Sequence, residues 1–138
     1  MKTVLFTMIC FMMLSCNSSI SDSDLQKLNG YWEIETAVLP DGTEKDYTIN
    51  STVDYFELKG KKGFRKKVMP QLDGTYLMNN VMENISIVEE GGKTFINYTT
   101  LYAKWKEQIL KLDSDELVIK NAHGLEYRYK KPQPFSVK

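Results

Sequence analysis

Cysteine is almost missing from this chain: its 138 residues hold two, Cys10 and Cys16, beside a single histidine, His123. Cys10 falls inside an N-terminal apolar run that reads as a cleaved leader, so one thiol would remain. That excludes an intramolecular disulfide and any multi-cysteine metal site. A lone imidazole with no thiolate near it is a poor ligand set. His123 stands beside Gly124 and reads as a turn residue, so neither a metal nor another cofactor is expected. Net charge is missing as well. Lysine plus arginine and aspartate plus glutamate stand at 18 each, and loss of Lys2 with the leader changes this to 17 against 18. Such a balance carries no field that would gather nucleic acid. The sequence also lacks an apolar stretch of the roughly 20 residues that a bilayer-spanning helix needs.

Catalytic constellations are equally scarce. Ser86 and Ser114 have no nucleophile-elbow pattern around them. Asp41, Asp73 and the acidic residues of 113–116 sit in turn sequences, where carboxylates serve backbone geometry. Nothing selects a pair of them for acid–base work, and no enzyme is expected.

The N-terminus carries the clearest signal. Lys2 precedes an almost wholly apolar run over 4–14, which ends in Leu14-Ser15-Cys16 and turns abruptly polar at Asn17, Ser18 and Ser19. Too short to span a membrane, the run reads as a signal peptide. The junction resembles a bacterial lipobox, in which a small residue, here Ser15, precedes a cysteine whose thiol takes a diacylglyceryl group. This implies a signal peptide over 1–15, lipid on Cys16, a polar tether over 16–24 and a folded domain over 25–138. The protein is then exported and held by lipid in the cell envelope, at the outer membrane. Two acyl chains anchor a protein stably where one does so only marginally.

From Gly30 onward the pattern is strand, turn, strand. Trp32, Ile34 and Val38 share one parity against Tyr31, Glu33 and Glu35, and Pro40-Asp41-Gly42 ends the run. Further strands are expected over 53–59, with Phe56 and Leu58 on one face, and over 64–69 and 75–78. Others are expected around Ile85 and Ile87 and over 94–100, 105–112, 117–120 and 125–130, separated by turn signals. Residues 102–112 include helix formers, but Trp105, Ile109 and Leu112 suit a strand, which is preferred. About eight short strands with no long amphipathic helix predict an all-β antiparallel barrel or sandwich.

Gly30-Tyr31-Trp32 resembles the G-x-W motif that opens the lipocalin barrel. Arg128 stands where lipocalins place an arginine across that tryptophan, a cation–π contact of about 0.5–2 kcal/mol. The stretches 105–112, 116–119 and 126–129 resemble the C-terminal half of lipocalin-like domains on lipoproteins of Bacteroides-group bacteria. The resemblance runs over most of the mature chain. It implies a small up-and-down β-barrel of about eight strands, with Gly30, Trp32 and Arg128 at its closed end. It also implies a lipid-anchored envelope protein that binds a small apolar or amphipathic ligand without catalysis.

Two groups of residues leave alternatives open. Tyr55, Phe56, Tyr76, Phe95, Tyr98, Tyr127 and Tyr129 suit either the lining of a cup or plain core. Lys59, Lys61, Lys62, Arg65, Lys66 and Lys67 place six basic residues within nine positions. Of these, Lys61, Lys62, Arg65, Lys66 and Lys67 suit contact with anionic headgroups or another polyanion, or a solvated hairpin that resists edge pairing. The competing function is therefore a filled barrel serving as an interaction or scaffold module for a protein or a polyanionic envelope component. A cavity of about 300 Å³ or more lined by aromatics favours ligand binding, and a packed interior with an exposed apolar patch favours a protein partner.

Overall fold

The computed structural model describes residues 19–48 and 50–133, so the leader over 1–15 and Cys16 lie outside the described residues. A short helix, α1 (Asp22–Leu25), and a 3-10 turn (Gln26–Leu28) lead into β1 (Gly30–Val38). There follow β2 (Glu44–Asp46), β3 (Val53–Lys59), β4 (Lys62–Pro70), β5 (Tyr76–Leu77) and β6 (Glu83–Glu90). The chain continues through β7 (Lys93–Thr99), β8 (Lys104–Leu112), β9 (Glu116–Lys120) and β10 (Glu126–Lys130).

Hydrogen bonding runs in the order β10-β9-β8-β7-β6-β4-β3-β1, and β1 pairs again with β10, so these strands close into an antiparallel up-and-down barrel. The short β2 pairs with β1, and β5 pairs with β4. Sequence dictates the tight corners. At Gly91 and Gly92, φ is 58° and 77°, the left-handed pair that a two-residue hairpin turn requires. Because successive barrel strands are antiparallel, the connections sort by end. Turns at 60–61, 91–92 and 113–115 lie at the closed end, and the connections 39–43, 71–75, 100–103 and 121–125 lie at the other.

Alternation places Phe56 and Leu58 of β3, Ile85 and Ile87 of β6, Ile96 and Tyr98 of β7, and Leu117 and Ile119 of β9 in the interior. Each buried aliphatic of this kind contributes about 1.5–3 kcal/mol. One expectation fails in β1. A bulge between Ile34 and Thr36 shifts the register against β10, so Ala37 is buried and Val38 is only half-buried. The extra residue flips the parity of everything after it.

The closed end is sealed by the N-terminal segment. Ser21 caps α1 by accepting from the Asp24 N–H at 3.2 Å, and Leu25 and Leu28 drop fully buried into the barrel. Trp32 Nε1 donates to the Leu28 carbonyl at 2.8 Å. Ile20 packs against the core, and its N–H reaches Thr94 Oγ1 at 3.4 Å. Ordered packing thus begins inside the stretch read from sequence as a tether.

Candidate functional site

Away from the closed end the barrel holds a cavity of about 520 Å³. Its apolar wall is Ile34 of β1, Trp105 of β8, and Tyr127 and Tyr129 of β10. Its polar groups are Asp54 of β3, Arg65 and Lys67 of β4, Glu107 of β8, and Asn121 and His123 in the turn between β9 and β10. The strand residues among them follow the inward parity of their strands, so the alternation that builds the core also delivers charge to the cup.

Arg65 is the centre of that charge. Its side chain is buried, with Nη2 2.5 Å from Glu83 Oε2 and Nη1 3.6 Å from Glu107 Oε1. The guanidinium lies 4.3 Å from the centroid of the Tyr98 ring, whose other neighbour is Trp105, stacked at 5.2 Å and 11°. Burial works against the Arg65 charge, but Tyr98, Asp54, Glu83 and Glu107 reverse that and hold the guanidinium above its ordinary pKa. Glu107 is pushed up by its own burial, and Arg65 only partly restrains the shift. Burial likewise raises the Tyr98 and Tyr129 hydroxyls well above the usual phenol range. Asp54 is buried and receives Lys67 Nζ at 3.0 Å. Two buried atoms, Arg65 Nε and the Tyr98 hydroxyl, have no hydrogen-bond partner among the described residues.

A second hollow, of about 280 Å³, lies outside the barrel wall between Glu33, Asn50, Pro70, Tyr76 and Pro132. It is smaller and lacks the convergent buried charges of the cup. Among the described residues, no group of three histidine, cysteine, aspartate or glutamate side chains is placed to hold a metal ion.

Comparison with known families matches residues 28–119 to the family described as a lipocalin-like domain. The chain belongs to that family. Among solved structures, it is similar to a lipocalin-like protein from Bacteroides uniformis, at 13% identity and a TM-score of 0.48, over 77% of this chain and 99% of that one. It is similar to an uncharacterized protein from Bacteroides eggerthii, at 11% identity and a TM-score of 0.47, over 76% of this chain and 99% of that one. It is also similar to lobster apocrustacyanin A1, at 12% identity and a TM-score of 0.42, over 86% of this chain and 73% of that one. No curated protein matches the chain.

In this lipocalin-like domain two expectations about site residues need correction. Arg128 does not cover Trp32. It is exposed and lies 3.3 Å from Glu44, because Tyr127 and Tyr129 take the inward parity of β10 and leave residue 128 facing out. The cation over the indole is Lys131, which regains the inward parity just past the strand and sits 3.7 Å from the Trp32 ring centroid. Gly30 is part of the same corner: its φ is 113°, and a Cβ there would stand 3.5 Å from Lys131 Nζ. The basic run also divides. Arg65 leaves the surface for the barrel interior, since residues 63, 65 and 67 face in along β4, and Lys67 turns to Asp54. Lys61 lies 4.0 Å from Asp22, and Lys66 stands over the Phe64 ring at 5.5 Å.

The aromatic set divides too. Phe56 and Tyr98 are core, and Tyr127 and Tyr129 line the cup. Tyr55 and Tyr76 gather outside around Tyr31, where Tyr76 stacks at 4.0 Å. Phe95 lies under Lys106 at 4.6 Å. Sequence reasoning missed Asp54, Glu107 and Trp105 as lining residues. Their signal was a charge at an inward position of an otherwise apolar alternation, as in Trp105, Glu107 and Ile109.

Proposed function

We propose that this lipocalin-like domain is a lipid-anchored envelope protein whose cup binds a small amphipathic molecule without altering it. The observation that carries the reading is the cavity of about 520 Å³, walled by Trp105, Tyr127 and Tyr129 and holding the Arg65 and Glu107 charges. That volume is of the size that small-ligand pockets have. It also weighs against a filled barrel acting only as a scaffold. A polyanion contact through the basic hairpin loses Arg65 to the interior and keeps only lysines. Acid–base catalysis has little support either, since Glu83 and Glu107 do not face an open cleft as a pair but flank a guanidinium between them.

The anchor suits this role. Ile20 is fixed at the closed end through Thr94, so a lipid on Cys16 would hold that end to the membrane and leave the mouth turned away from it. Native mass spectrometry of the chain from Ser18 onward, purified from its own host before and after organic extraction, tests the reading. A reproducible extra mass removed by extraction is the expected result. A bare protein that also takes up no amphipathic probe would overturn it. Mass spectrometry of the native N-terminus should show acyl groups on Cys16, and a free amine at another residue would remove the anchor.

A further inference from the structure

We infer that the cup takes a ligand with a cationic head, an alkylammonium or quaternary ammonium group, seated against the Glu107 carboxylate within the aromatic wall of Trp105, Tyr127 and Tyr129. The inference rests on the ligand-binding reading above and narrows it. The charged and titratable groups lining the cup are Asp54 on β3, Arg65 and Lys67 on β4, Lys106 and Glu107 on β8, and Tyr127 and Tyr129 on β10, with His123 at the mouth, and Glu83 on β6 and Tyr98 on β7 meet Arg65 behind them. Three of these are carboxylates, and of the three cations only Arg65 and Lys67 pair with them. Lys67 pairs with Asp54 at 3.0 Å and Arg65 with Glu83 at 2.5 Å. Glu107 is left with a 3.6 Å approach to Arg65, longer than a hydrogen bond, although it is only 7% exposed. Lys106 also borders the cavity, but its Nζ is held by Glu90 at 3.1 Å.

The excess carboxylate is therefore buried, lines an open cavity and shares Arg65 with Glu83 instead of holding a cation of its own. A bound ammonium supplies one, and the surrounding π faces add cation–π attraction. An anionic head would meet the same carboxylate as a like charge. A neutral apolar head would cover Glu107 without answering its charge. Because burial raises the Glu107 pKa, the attraction also depends on pH. Ammonium binding is full where Glu107 is ionised and falls as pH drops through its raised pKa.

Three probes of one chain length separate the heads: octyltrimethylammonium, octanol and octanoate, titrated calorimetrically into the chain from Ser18 to Lys138, which contains every described residue. Trp105 fluorescence reports entry into the cup, against a constant background from the buried Trp32. The ammonium should bind at least about tenfold tighter than octanol, with octanoate weakest. Glu107→Gln should erase the preference for the ammonium over octanol and its pH dependence. Equal or tighter binding of octanol or octanoate, or a preference that survives Glu107→Gln, overturns the cationic head and leaves the cup reading standing. If no probe binds, the cup reading and this inference fail together. Should Glu107→Gln not fold, the wild-type pH titration decides: ammonium affinity that does not fall in acid overturns the inference.

Discussion

At the closed end of the barrel, Leu25, Leu28 and Trp32 are fully buried, and the indole N–H is answered by the Leu28 carbonyl at 2.8 Å. In the cup, Asp54, Arg65 and Glu107 are buried almost as deeply, at 6%, 9% and 7% exposure, yet Arg65 Nε has no partner and Glu107 has to share its cation, Arg65, with Glu83. Depth of burial does not separate the two regions. What separates them is whether each polar atom is satisfied. A satisfied, apolar end gains nothing from a ligand and serves stability. An end with an excess carboxylate and orphan donors carries a desolvation cost that a ligand can offset.

The comparison breaks most severely at Trp32. Replacing Trp32 by alanine should cost about 4–5 kcal/mol in urea unfolding, since it empties the seal and strands the Leu28 carbonyl. Probe affinity in the folded fraction should stay unchanged. A loss of affinity matching the loss of stability would mean that the two ends act as one unit. Arg65→Met should cost about 3 kcal/mol, because Glu83 and Glu107 are left facing each other without their cation. Adding Glu83→Gln and Glu107→Gln to it should return most of that stability but no ammonium preference. If the triple variant remains as unstable as the single one, Arg65 acts through packing against Tyr98 and not through charge.

Much of the barrel was legible in the sequence because one face of each strand must be apolar. Phe56 and Leu58, Ile85 and Ile87, and Leu117 and Ile119 announce their inward face directly. The bulge after Ile34 was not legible, since one extra residue reverses parity without changing composition. The helix over Asp22–Leu25 hid within a polar run whose apolar anchors, Ile20 and Leu25, are too few to form a pattern. The cup was less legible still. Arg65 sits among five lysines and reads as one more surface cation until the register puts it opposite Phe56 and beside Glu83. Glu107 is visible as an anomaly of parity, but its sharing of Arg65 with Glu83 is a fact about distances that no one-dimensional pattern holds.

The smallest expected effect tests where the seal's cation stands. Lys131 Nζ lies 3.7 Å from the Trp32 ring centroid, and burial lowers its pKa below the usual lysine range, as expected of an ammonium held against an indole instead of water. Arg128 is exposed, and its contact with Glu44 at 3.3 Å belongs to a class of surface ion pairs worth about 0–1 kcal/mol. Methionine keeps the alkyl stem in both cases and removes only the charge. Lys131→Met should therefore cost about 0.5–1 kcal/mol and alter the emission of Trp32. Arg128→Met should stay within about 0.5 kcal/mol of wild type and leave that emission untouched. The reverse order would return the sealing role to residue 128. It would also require β10 to be turned over, carrying Tyr127 and Tyr129 out of the cup, so this small difference at the closed end checks the register on which the cup depends.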